Sequence, residues 1–73
     1  MQYTFNVFGR MMVIASVGSG WVCYWLGPEG KRRPAEISIP PDVTHGELSQ
    51  YLYDIYHEDA TPKNGDVFEV VIQ

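Results

Sequence analysis

The sequence predicts an α+β fold: a mainly antiparallel sheet of order β-β-β-(β)-α-β with one amphipathic helix packed on one face. Three observations predict it. Residues 2–26 alternate with strand period between Gly-containing turns, residues 44–58 hold a capped apolar stripe at helical spacing, and "VFEVVI" returns to a period of two. At 73 residues the chain is a single small domain, 1–73, near the lower end of what folds alone, burying about 60% of its unfolded surface. A core of that size rarely supplies more than about 3–5 kcal/mol, so oligomerisation is a live expectation.

Each element has its own signal. In "QYTFNVF", Tyr3, Phe5 and Val7 point one way and Gln2, Thr4 and Asn6 the other. Gly9-Arg10 reads as a two-residue type II′ turn between Phe8 and Met11, because that turn takes Gly first. "MMVIASV" is the second strand, Gly18-Ser19-Gly20 turns the chain again, and "WVCYWL" is the third. "EISIP" predicts a short edge strand stopped by Pro40 and Pro41, which cannot donate to a ladder. Thr44 is the expected N-cap, with Glu47 completing a capping box and Val43 stapling onto Leu48. Leu48, Tyr51, Leu52 and Ile55 form the helix stripe. Pro62 and Asn64-Gly65 end the helical region, and Val67–Ile72 closes the chain with Phe68, Val70 and Ile72 on one face and Glu69 on the other.

Register then distributes the apolar side chains. The Gly9-Arg10 turn sets Phe5 opposite Ile14 and Val7 opposite Met12, and a Val17–Trp21 pair across the second turn sets Ile14 opposite Tyr24. The helix side would hold Phe5, Val7, Met12, Ile14, Val22, Tyr24 and Leu26. The far side would hold Phe8, Met11, Val13, Val17, Trp21, Cys23 and Trp25. A one-residue slip in the second hairpin exchanges the third strand's two sets. Either way both faces are apolar. Two Trp on one face could cover several hundred Å², the scale of an interaction surface. That face is expected to be covered by "PAEISIPP", to self-associate, or to hold a peptide or small apolar ligand. Trp21 and Trp25 are therefore candidate partner-binding residues.

The run Lys31-Arg32-Arg33 gathers three of the five Lys and Arg of a chain whose net charge is −4. A P-loop would need its glycines further apart and a Ser or Thr after the Lys, and Gly27-Pro28-Glu29-Gly30-Lys31-Arg32 has neither. Five of the nine acids, Asp42, Glu47, Asp54, Glu58 and Asp59, lie in or beside the helix. Three readings follow. Arg32 or Arg33 pairs with Glu58 or Asp59, the run is solvated, or it docks an acidic partner, RNA or a phosphorylated ligand. Lys31, Arg32 and Arg33 stand as candidate partner-binding residues, with Arg10 beside them in a nucleic-acid or phospho-ligand alternative.

Several chemistries are disfavoured. The acidic balance argues against general binding to nucleic acid or anionic lipid. No segment approaches the roughly 20 apolar residues needed to span a bilayer, and "MQYTFNVFGR" lacks the basic start of a signal peptide. Cys23 is alone, so no intramolecular disulfide can form, and cytoplasmic is the expected location. Set among aromatics, its thiol should be inert packing with a raised pKa. Asp54 and His57 share a helix face, but no third metal ligand is evident. An enzyme built on Asp54, His57 and Glu58 would need a group from another subunit. His57 itself is expected to be exposed near the helix C-terminus. No catalytic residue, metal or cofactor is predicted.

Phe8-Gly9-Arg10, Trp21, and Glu29-Gly30-Lys31-Arg32-Arg33-Pro34-Ala35 carry a resemblance. Ile39-Pro40, Glu47-Leu48, Tyr51-Leu52 with Asp54, and His57-Glu58 continue it. Together they resemble an uncharacterised family of short bacterial proteins, a domain of unknown function. The resemblance implies a small bacterial cytoplasmic protein and brings no activity or ligand. The functional expectation is a non-enzymatic interaction or accessory module that self-associates through its apolar sheet face or meets a protein partner.

Overall fold

A computed structural model describes residues 1–70, so the expected strand positions Val71 and Ile72 lie outside the described residues. Five strands form one antiparallel sheet: β1 (Gln2–Val7), β2 (Arg10–Val17), β3 (Gly20–Leu26), β4 (Arg32–Pro34) and β5 (Val67–Val70), in the spatial order β4-β3-β2-β1-β5. Between β4 and β5 the chain crosses one face as an irregular segment. It then forms a single helical stretch of a 3₁₀ turn (His45–Glu47), the helix α1 (Leu48–Tyr56) and a second 3₁₀ turn (His57–Asp59). The α+β expectation holds, with one helix on one face.

The first hairpin turns one position earlier than predicted, which shifts the strand register by two. Val7 pairs with Arg10, so Phe8-Gly9 is the loop, and both residues lie at positive φ (51° and 91°). That is the type I′ signature, whose twist matches the strands it joins. Asn6 steadies it by accepting the Gly9 N–H on Oδ1 at 2.8 Å. The pairs become Phe5–Met12 and Tyr3–Ile14. A shift of two preserves parity, so Phe5, Val7, Met12 and Ile14 still share the helix side, and all four are buried. Phe8 is corrected from the far side to the core cluster, where its ring meets Tyr53 at 5.4 Å.

The second hairpin differs by one, which matters more. Val17 pairs with Gly20 across Gly18-Ser19, giving Ser16–Trp21, Ile14–Cys23 and Met12–Trp25. The third strand's two sets are therefore exchanged. Trp21, Cys23 and Trp25 join the helix side, and Val22, Tyr24 and Leu26 take the other. Segment 35–43 covers the tryptophans: Ala35, Ile37 and Val43 pack on the core and Ile39 is buried within it. The Trp21 indole N–H donates to the Val43 carbonyl at 2.9 Å. Trp25 meets Tyr56 edge-on at 5.4 Å.

The predicted edge strand in "EISIP" falls earlier, on Arg32–Pro34. A turn through Glu29 and Gly30, both at positive φ, sends the basic run straight back along β3. Glu36–Pro40 is freed to cross the sheet instead.

The helix starts where its capping box predicts. The Glu47 carboxylate accepts the Thr44 N–H at 3.0 Å and its hydroxyl at 2.9 Å, and these bonds hold the Glu47 pKa below the usual range. Leu48 and Leu52 are fully buried over β1 and β5, and Tyr51 is half-buried. Ile55 is 40% exposed; the inward position one step on is Tyr56, drawn to the Trp25 ring. The stripe is thus Leu48, Leu52 and Tyr56 at i, i+4, i+8, which leans α1 toward β3. After Asp59, Thr61 and Asn64 exchange backbone hydrogen bonds in a turn, and β5 pairs with β1, Val67 opposite Val7.

Candidate functional site

The sheet presents two surfaces of opposite kinds. On the helix side, beyond the end of α1, lies an open groove of about 460 Å³ lined by Arg10, Trp25, Arg33, Pro34, Glu36, Ile37 and Tyr56. Pairing explains its floor. Arg33 is opposite Trp25 and Trp25 opposite Met12, so Arg33 and Trp25 project from the same face of adjacent strands. Arg10, the first residue of β2, lays its guanidinium carbon 3.9 Å from the centre of the Trp25 ring, a cation–π contact. Tyr56 closes one wall. Its burial raises the phenol pKa, with the Arg10 charge pulling the other way, so the hydroxyl keeps its proton and can donate.

The guanidinium groups of Arg10 and Arg33 have no ion-pair partner among the described residues. The anticipated pairing of Arg32 or Arg33 with Glu58 or Asp59 does not form. The physical reason is placement: β4 is an edge strand beyond β3, while α1 sits over β1 and β5 at the other side of the sheet. The one contact of this kind among the described residues is instead His45 Nε2 to Glu69 Oε1 at 2.7 Å, a hydrogen bond that is ionic only with a protonated imidazole. The same His45 ring stacks on Tyr3 with centroids 3.8 Å apart. Sequence reading missed it, because the two residues meet only once β5 is placed beside β1.

The second surface is the helix-free face. Strand parity assigns it Met11, Val13, Ala15 and Val17 from β2, Val22, Tyr24 and Leu26 from β3, Phe68 and Val70 from β5, and the polar Gln2, Thr4 and Asn6 from β1. Its central row runs Val70–Thr4–Val13–Tyr24–Pro34. Val13 is 3% exposed yet lies outside the core cluster, the one buried hydrophobic residue that does. Its neighbours on the face shield it, and none of the described elements packs over it. Phe68 is 52% and Val17 59% exposed. None of the nine acids is on this face. Its one charge is Arg32, which reaches across to donate to Gln2 Oε1 at 3.0 Å.

The predicted site residues therefore divide. Trp25 and Arg33 meet in the groove, Arg32 lies on the opposite face, Lys31 is exposed in the turn, and Trp21 is half-buried against the core. Tyr56, Glu36 and Ile37 were not anticipated; the last turn of α1 brings Tyr56 to Trp25, and the crossing of segment 35–43 brings Glu36 and Ile37 to the groove.

Cys23, Asp54 and His57, singled out by the sequence, lie apart from both surfaces' charged groups. Cys23 is buried, which pushes its thiol pKa from 9.0 to about 11. His57 donates from Nδ1 to the Asp54 carbonyl at 3.0 Å, and Gln50 donates to Asp54 Oδ1 at 2.9 Å. Among the described residues no group of three or more His, Cys, Asp or Glu could hold a metal ion, and no helix is long and apolar enough to cross a membrane.

Comparison with known proteins places the chain in a family without giving it a role. The family model described as a domain of unknown function, DUF7661, matches residues 2–71, and the chain belongs to that family. Searches of the curated proteins and of the solved structures give no match.

Proposed function

We infer that this chain is a small binding module, not an enzyme, which pairs with a second copy of itself through the helix-free face of its sheet. The observation that carries this reading is an apolar sheet face with no covering element among the described residues and no acid, in a chain of net charge −4. An antiparallel sheet that faces water normally alternates to polar residues on that side; here β2 and β3 place only apolar residues and Tyr24 there. Because the negative charge lies elsewhere, two copies can close face to face without like-charge contact between acids.

The dimensions suit a homodimer. Five strands about 4.8 Å apart and about six residues long at about 3.3 Å each give a face near 24 by 20 Å. Closing two such faces removes on the order of 1,000 Å², at the lower end of specific interfaces. For a domain with so little core of its own, covering that area supplies stability as well as association. A bacterial cytoplasmic setting goes with this reading, on the resemblance described above and the lone cysteine. A binder of nucleic acid through Lys31, Arg32 and Arg33 is less favoured, because Arg32 and Arg33 point to opposite faces.

Light scattering on a sizing column tests the reading. The wild-type protein should elute at twice the chain mass at about 50 μM, while Val22→Glu and Met11→Glu, at half-buried positions of the face, should be folded monomers by circular dichroism. A wild-type monomer at that concentration, or a dimer that both substitutions leave intact, would overturn it.

A further inference from the structure

The groove on the opposite face stands independently of dimerisation, and its chemistry is specific. We propose that the Arg10–Trp25–Arg33–Tyr56 groove is a binding site for a small organic monocarboxylate with an aromatic or apolar body.

The charge count selects a monoanion. Arg10 and Arg33 contribute two positive charges and Glu36 one negative, leaving a net of one positive charge in the lining. A dianionic phosphate would be over-charged for that lining and would meet the Glu36 carboxylate, whereas a carboxylate balances it. The donors fit the same class. Each guanidinium is a rigid fork that takes a carboxylate bidentately. The Arg10 guanidinium carbon rests 3.9 Å from the centre of the Trp25 ring, so the contact restrains the side chain and less of its freedom is lost when a ligand arrives. Neither fork is occupied by an ion-pair partner among the described residues. The Tyr56 hydroxyl offers a further donor.

The rest of the lining suits the ligand's body. Trp25, Tyr56 and Ile37 supply apolar and aromatic walls around the polar groups, with Pro34 at the strand edge. The volume of about 460 Å³ lies within the range of small-molecule sites, about 300–1,000 Å³. A bare anion such as acetate would leave those walls unused.

The test follows the two indole N–H signals in ¹⁵N–¹H NMR spectra during titration with benzoate, indole-3-acetate, benzamide and phenyl phosphate. The Trp25 signal should shift saturably with the two carboxylates below 10 mM. The Trp21 signal, four residues along β3 and bonded to Val43, should stay in place. Benzamide, uncharged, should bind at least tenfold more weakly, and phenyl phosphate more weakly than benzoate. Arg33→Ala, at an exposed position, should weaken carboxylate binding at least tenfold with the spectrum otherwise preserved, and Arg33→Lys should recover only part of it. The proposal is overturned by no saturable Trp25 shift, by equal binding of benzamide, by tighter binding of phenyl phosphate, or by an Arg33→Ala variant that binds as wild type.

Discussion

Phe8 sets two opposed effects against each other, and replacing it with Gly decides between them. Its φ of 51° is a conformation that costs a bulky L-residue about 1–2 kcal/mol. Gly would remove that strain, but would return about 0.5–1 kcal/mol in extra freedom of the unfolded chain. The two backbone effects therefore largely offset each other, with at most about 1.5 kcal/mol left in favour of Gly. Against this stands the side chain, 6% exposed, in the core cluster and beside Tyr53. Deleting a buried Phe costs about 3–5 kcal/mol. Burial wins, and Phe8→Gly should lose about 1.5–5 kcal/mol. In a domain of this size each kcal/mol moves the melting temperature by about 4–8 °C, so thermal unfolding followed by circular dichroism at fixed concentration should show a fall of at least about 6 °C. Phe8→Leu keeps both the strain and much of the burial and should lie between. A Phe8→Gly variant as stable as the parent would refute the reasoning, since backbone strain would then outweigh a contact counted as core.

Two further predictions test the core and its titration. Leu52→Ala empties a fully buried position and should cost about 2–5 kcal/mol, whereas Ile55→Ala, at a 40% exposed position, should cost under about 1 kcal/mol in the same urea titration; equal losses would show that α1 is not rotated as described. Cys23 should resist iodoacetamide at pH 8 until urea unfolds the chain. Its proton is held to about pH 11 in the folded state against 9.0 when exposed, so the unfolded state releases that proton first as pH rises. The thiol's contribution to stability is then complete below pH 9 and is lost between pH 9 and about 11. Tyr56, raised above 10.0 by its own burial, steepens the same alkaline decline. Cys23→Ala should flatten it in melting temperatures taken at pH 8, 9 and 10, and an undiminished decline would count against the buried-thiol account.

What the sequence made legible is parity and capping, and what it left hidden is register. Alternation alone identifies β1, β2 and β3 and sorts each strand's residues into two sets. It does not say which set of one strand joins which set of the next; the turn decides that. At the first hairpin the predicted turn was one position late, which displaces the register by two, and a period-two pattern forgives an error of two. At the second, Gly18-Ser19-Gly20 permits a loop of two residues or three. The difference of one moved Trp21 and Trp25 from the supposed open face to the covered one. The helix start was readable because Thr44 and Glu47 lie within one turn of each other. The His45–Glu69 pair and the Tyr56 wall of the groove were not, because they depend on strand order and on a crossing segment that has no period to read.

The same period also divides the basic run. Lys31-Arg32-Arg33 looks like one positive patch when read along the chain, yet it leads into an edge strand, where neighbours must point to opposite sides. Arg33 enters the groove beside Trp25, while Arg32 crosses the helix-free face to Gln2. Each cation consequently meets a different environment with a different consequence. On the apolar face, Arg32 lies among Tyr24, Leu26 and Pro34, where its methylene stem can cover apolar surface while the guanidinium keeps its bond to Gln2. A second copy closing over this face therefore meets a charge already hydrogen-bonded. In the groove, Arg33 has no such partner among the described residues, and its donors remain available to a ligand. One substitution on each side thus separates the two surfaces. Arg33→Ala should alter carboxylate binding and leave the oligomeric mass unchanged, whereas Val22→Glu should do the reverse.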